Sequence, residues 1–158
     1  MTATTDPLRE RIMEFIKGKL EGMTPGQPVS DPYTTGFKYV QREPLTDDIL
    51  TGKYVAYLFD ATSTRTRATS ICYCKLSCSI EIAAQVGSGE NPNGVLNAVF
   101  CDIERLLMQD VTCGGLAYEI EFTKDEKVIG WRNDRSVDGV IHFIVSYRYG
   151  IQDPRSVV

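Results

Sequence analysis

The chain predicts an α+β fold: a mostly antiparallel sheet with two helices packed on one of its faces. Three observations point there. The segment from Cys72 to Ile82 alternates apolar and polar residues. Leu116, Tyr118, Ile120 and Phe122 alternate in the same way, and residues 140–149 form a further β-like run. Two other segments, one near the start and one from Asn91 onward, carry apolar residues at helical spacing. Each helix can then bury one stripe and the sheet one face, the economical packing for such elements.

Asp6 reads as the N-cap of the first helix, with Pro7 at the first helical position, where its missing N–H costs nothing. Leu8, Ile12, Phe15, Ile16 and Leu20 recur at helical spacing, Arg9, Glu10, Glu14 and Lys17 fall mostly on the other side, and Gly22 offers a stop. Residues 24–32 carry three prolines and a glycine without apolar periodicity and read as an irregular connection. A short strand is expected over 37–41, a turn or loop over 43–51, and a strand over 54–59. The polar stretch 60–69 then reads as the end of a long hairpin whose tip carries Arg65 and Arg67.

The next strand has the clearest faces. Cys72, Cys74, Leu76, Cys78, Ile80 and Ile82 fall on one side, and Tyr73, Lys75, Ser77, Ser79 and Glu81 on the other. Residues 87–94 break the pattern, and Asn91 or Asn93 can cap a second helix whose core stripe is Val95, Leu96, Val99, Phe100, Ile103, Leu106 and Leu107. Cys113-Gly114-Gly115 turns the chain into a strand over 116–122, the charged residues 123–127 read as a hairpin tip, and a polar loop over 132–138 leads to the last strand. The expected order is helix, about three strands, helix and two strands.

With 158 residues, the chain suits a single domain spanning 1–158, with 1–5 and 155–158 as flexible ends. A formal net charge of -4 gives no global attraction to nucleic acid or anionic membrane. No apolar run approaches the ~18 residues of a membrane span, and the first residues lack the apolar segment of a signal peptide, so the expectation is a chain that begins near Met1 in a cytosol. Five cysteines are an odd set in a chain that needs no disulfide framework, which suits a reducing compartment and small apolar core residues.

Residues 87–94 have the glycine spacing of a phosphate loop between strand and helix, but Val95 and Leu96 stand where that loop needs Lys and Ser or Thr, and Glu90 would repel an anion. A turn is the better reading. A rise of ~3.3 Å per residue sets Cys74 and Cys78 about 13 Å apart, so Cys72, Cys74 and Cys78 cannot share one tetrahedral ion. His142, the only histidine, lies on the strand face of Val140, Ile144, Ser146 and Arg148 with no partner nominated, and reads as structural. Neither a catalytic set, a cofactor nor a metal is expected.

Arg65 and Arg67 alternate along the polar arm, which places both guanidinium groups on one side, suited either to an acidic partner or to solvent. Trp131 with Arg132 and Arg135 marks a second loop of this kind, since a tryptophan there can anchor an interface or roof the core.

The early helix, the arm-bearing hairpin, the second helix ending in Glu104-Arg105-Leu106-Leu107, and the final run Gly139-Val-Ile-His-Phe-Ile-Val-Ser-Tyr-Arg-Tyr149 followed by Asp153-Pro154 resemble the tail terminator and tail completion proteins of long-tailed bacteriophages. The likeness spans residues 8–154. It implies a virion structural protein that forms a homo-hexameric ring, caps the tail tube, stops its polymerisation and joins it to the neck or connector. The implied partners are other copies of the chain, the tail tube protein, the neck or connector protein, and genomic DNA passing through the lumen without specific binding, with no membrane. It also implies assembly in the host cytoplasm and residence in the virion tail or neck. Arg65, Arg67, Trp131, Arg132 and Arg135 are the interface candidates. The alternatives are another neck or head-completion protein, or a small hydrolase using a cysteine and His142.

Overall fold

The computed structural model describes residues 6–44, 53–129 and 136–158. The elements run α1 (Leu8–Glu21), β1 (Tyr39–Gln41), β2 (Tyr54–Ala68), β3 (Ile71–Gln85), α2 (Pro92–Met108), β4 (Glu119–Ile129), β5 (Ser136–Gly150) and β6 (Asp153–Val157). The six strands form one sheet in the order β1-β2-β3-β5-β4, with β6 pairing the end of β5. All ladders are antiparallel except β1 on β2. This is the α+β architecture the alternation predicts.

Both helices cover one face. Leu8, Ile12, Met13, Ile16 and Leu20 of α1 and the full predicted stripe of α2 are buried against Cys72, Cys74, Leu76, Cys78, Ile80 and Ile82 of β3 and the matching residues of β5. The register makes this face continuous, pairing Ile80 with Ile141, Cys78 with Phe143 and Leu76 with Val145. Gly139 stands opposite Ile82, and the ring of Phe100 packs where a Cβ at Gly139 would sit. A glycine therefore lets α2 approach the sheet.

Several boundaries differ from the sequence expectation. Pro7 itself is the N-cap of α1 and no side chain caps it, so Asp6 does not play that role. Asn91 rather than Asn93 caps α2, accepting from the Asn93 N–H at 3.0 Å. The arm at 60–69 is strand for nearly its whole length, because Ser63 to Ala68 pair with Leu76 to Ile71, and alternating Thr and Arg suit an extended backbone. Residues 123–127 are likewise strand rather than a hairpin tip, pairing with His142 to Gly139 beyond a bulge at Thr123. Residues 136–138, expected in a loop, open β5. A sixth strand, β6, occupies part of the expected loose end at 155–158.

Asp102 anchors the irregular 24–38 segment to α2. Its Oδ2 accepts from the Thr34 and Thr35 N–H groups at 2.9 and 3.0 Å and from the Thr34 hydroxyl at 2.9 Å, while its Oδ1 faces Arg105 at 3.3 Å. A carboxylate nearly removed from solvent is thus satisfied by three neutral donors and a cation.

Candidate functional site

Among the described residues, two features carry no helix or strand partner: the sheet face opposite the helices and a pair of strand edges. β1 pairs β2 only over Val55–Tyr57, so the outer side of β2 from Leu58 to Ala68 has no strand partner among the described residues. β4 is the other outer strand, and its far side likewise has no strand partner among the described residues. Unpaired N–H and C=O rows of this kind invite another chain.

The two edges differ in charge. Arg65 and Arg67 are exposed on the β2 edge, in register with Cys74 and Cys72, so they share the helix-bearing face beyond the reach of the helices. Neither side chain makes a hydrogen bond or ion pair with a described residue. The β4 edge carries exposed Glu119, Glu121, Asp125 and Glu126 against Lys124 and Lys127. Lys127 is bonded to Asn97 of α2, and Lys124 lies 3.4 Å from Glu126. Trp131, Arg132 and Arg135, the other interface candidates, lie outside the described residues.

The root of the β2 arm is fixed by charge. Asp60 receives Arg9 of α1 on Oδ2 and Arg42, one residue beyond β1, on Oδ1 at 2.6 Å. Glu10 stands 3.5 Å from the same Arg42, an ion pair too long to be a good hydrogen bond. Just past Asp60 the β2–β3 register shifts, and the arm leaves the cover of α1. At its far end Thr69 and Ser70 connect the strands, with Thr69 at a φ of 53°. That left-handed conformation is costly for a β-branched residue.

On the uncovered face the register assembles what sequence spacing could not. His142 stands opposite Ser79 on β3 and Lys124 on β4. Its Nδ1 is 2.8 Å from the Ser79 hydroxyl and its Nε2 is 2.9 Å from Glu126 Oε2. Glu126 is held below the usual carboxylate range, first by the His142 hydrogen bond and then by Lys124. An ionised Glu126 accepts from Nε2–H, which leaves Nδ1 to accept the Ser79 O–H. The cysteines of β3 lie on the opposite face, so the structure pairs His142 with a serine and a glutamate, not with the thiol a cysteine hydrolase would need. Tyr57 and Phe59 stack at 4.7 Å at one side of this face.

The helix-bearing face carries a second cluster, beside the arm. Cys72 and Cys74 Sγ atoms lie 3.9 Å apart, with Tyr149 and Tyr147 facing them from β5. Hydrogen bonding to Cys72 and burial push the Tyr149 hydroxyl up to about 12. Burial raises Cys74, and it pushes Cys78 and Cys113 up to about 12. All five cysteines are free, and Cys101 is exposed on α2 rather than part of the core.

In the 87–94 loop, the exposed Glu90 folds its own carboxylate back onto the loop backbone. Its Oε1 accepts the Gly87 N–H at 2.8 Å and faces Lys53 at 3.3 Å, filling with an acid the place a phosphate would take. No family model matches this sequence, and no curated protein is significantly similar to it.

Proposed function

We propose that this chain is a virion structural protein of the tail terminator kind, building a closed ring of copies that caps a tail tube and meets the neck or connector. The observation that carries this reading is the pair of free sheet edges with opposite character. The β2 edge presents Arg65 and Arg67 with no acidic partner of their own, and the β4 edge presents four carboxylates against two lysines. A basic edge and an acidic edge on opposite sides of one sheet suit a head-to-tail contact between identical copies. Such a heterologous contact closes into a ring when its rotation allows. The Asp60 anchor supports the same reading, because it holds the arm at a set angle before any partner arrives.

The chemistry of this function is binding. Arg65, Arg67 and the Glu119 to Glu126 row supply orientation and on-rate, while backbone pairing along the edges supplies most of the contact. A neck or head-completion role would use the same edges and differ only in the ring the protein occupies. Cryo-electron microscopy of particles from cells producing the protein tests the proposal. The expected result is a six-fold ring of this chain between tail tube and head, with the β2 arm of each copy against the β4 edge of the next. A ring at the portal side of the neck would move the assignment to a head-completion role. Absence from particles, with purified protein that leaves tail tubes unaltered, would reject both.

A further inference from the structure

We propose that the far half of the β2–β3 hairpin, together with the adjoining end of β5, binds the phosphate backbone of duplex DNA without regard to sequence. Between Asp60 and Glu81 the chain carries no carboxylate, although Asp and Glu make up 21 of its 158 residues. Ile141 to Gly150, which pair this part of β3 on its other side, carry none either. The same region holds Arg65, Arg67, Lys75 and Arg148, all exposed, so a chain of net charge -4 gathers these four cations at one end of its sheet. Of the carboxylates at its borders, Asp60 is held by Arg9 and Arg42, and Asp153 by Arg155 and Ser156. Glu119 is separated from Lys75 by the whole of β5. The charge of this lobe therefore faces outward, towards an anion that the fold does not supply.

The two faces of the sheet divide the cations. Arg65 and Arg67 share the helix-bearing face. On the opposite face the register sets Thr66 and Arg148 on either side of Tyr73, and Thr64 beside Lys75 two residues along. The Lys75 side chain has no hydrogen bond or ion pair with a described residue, and Arg148 engages only its Nε, on the Val158 carbonyl. Phosphates are contacted by Arg and Lys, by Ser, Thr and Tyr hydroxyls, and by free backbone N–H groups. This face supplies the first two kinds, and in the free chain the β2 edge supplies the third. An acidic protein surface would use the cations but also wants an apolar anchor, and none of the exposed large apolar side chains belongs to the hairpin. Duplex DNA needs no such anchor, and its charge every ~1.7 Å of axis engages several cations at once. The inference does not rest on the ring, whose proposed charge contacts use Arg65 and Arg67 and leave the second face unengaged.

The test titrates the full chain into a fluorescein-labelled duplex of about 20 base pairs and reads anisotropy between about 50 and 200 mM salt. With about four phosphates neutralised, the expected slope of log affinity against log salt is about -3.6, a loss of roughly 150-fold across that range. Lys75→Gln and Arg148→Gln, both at exposed positions, should each make the slope shallower by about 0.9. Lys17→Gln on α1, where the lysine is paired with Glu21, should leave it unchanged. Absence of binding at about 50 mM salt overturns the proposal, as does an unchanged slope in the Lys75→Gln/Arg148→Gln double variant. Poly-glutamate that displaces the labelled duplex as well as unlabelled duplex does, at equal charge concentration, would reassign the lobe to acidic protein surfaces and also overturn it. The measurement needs no ring. A ring seen in particles beside a chain that ignores DNA rejects this inference alone, and a chain that binds DNA as described supports it whether or not a ring forms.

Discussion

Replacing Asp60 by alanine isolates the ion cluster that sets the direction of the arm. The carboxylate is 14% exposed and serves two guanidinium groups, Arg9 at 33% and Arg42 at 25%, so its removal strands two partly buried cations. Breaking a fully buried pair costs roughly 3–5 kcal/mol. Solvent still reaches both arginines, which brings the expected loss for Asp60→Ala to about 2–3 kcal/mol. Arg9→Ala also gives up the bond to the Ala61 carbonyl and Arg42→Ala the contact with Glu10, but each leaves the Asp60 carboxylate paired with the other guanidinium, so each should cost about 1 kcal/mol. Urea unfolding of the two single-partner variants, Asp60→Ala and the corresponding doubles completes two thermodynamic cycles. Each should show a coupling of at least about 0.5 kcal/mol, and backbone amides from Ser63 to Ala68 should exchange faster in Asp60→Ala. A loss under about 0.5 kcal/mol, or strictly additive doubles, would show that Asp60 does not anchor the arm.

Asp102→Ala removes the acceptor of two backbone amides and a hydroxyl in a buried setting and should cost about 3 kcal/mol by urea unfolding; a cost below about 1 kcal/mol would contradict the strap. Thr69→Gly relieves a left-handed β-branched residue in the two-residue turn and should raise stability by about 1 kcal/mol, read as a shift in urea midpoint at unchanged m-value. Cys78 and Cys113 ionise near 9.0 in the unfolded chain and at about 12 in the folded one, so the stability they contribute is complete below pH 9 and declines above it. By pH 10 each should have lost about 1.4 kcal/mol relative to pH 8, and Cys113→Ala should remove its share of that slope.

The helical stripes and the faces of β3 were legible because each rests on a period that a single segment carries within itself. All seven residues of the second helix's predicted stripe are buried, and so are all six residues on the apolar side of β3. The polar half of β2 was harder to read. Polarity marks both loops and edge strands, and what makes residues 63–68 a strand is a partner, the well-formed β3, rather than anything in their own pattern. The same holds for 123–127, whose charges signal a turn in isolation but tolerate an outer strand where one side of the backbone meets solvent. Arg65 and Arg67 were found by their alternation, and their shared face followed from it. That this face is the helix-bearing one came only from the register with Cys72 and Cys74.

The relay through His142 shows how far a face assignment reaches and where it stops. The sequence places His142 on the strand face of Val140, Ile144, Ser146 and Arg148 and Ser79 on the polar side of another strand, yet the pairing of Ser79 with His142 depends on an inter-strand register, and Glu126 is reached only because β4 continues past its bulge. The result has the donor order of an activated serine, with Glu126 orienting the imidazole whose other nitrogen accepts the serine proton. A nucleophile also needs N–H donors aimed at a developing oxyanion and room for an acyl group. Ser79 is only 6% exposed, and it sits in the middle of a strand paired on both sides, so the neighbouring amides are already committed to the ladders. The same three contacts serve well as a clasp. They tie β3, β5 and β4 together on the face that no helix covers, with Thr123 adding a bond to the His142 carbonyl at the bulge. On the proposed reading, a clasped sheet face and a braced acidic edge suit a ring subunit whose neighbours are to find the same surface in every copy.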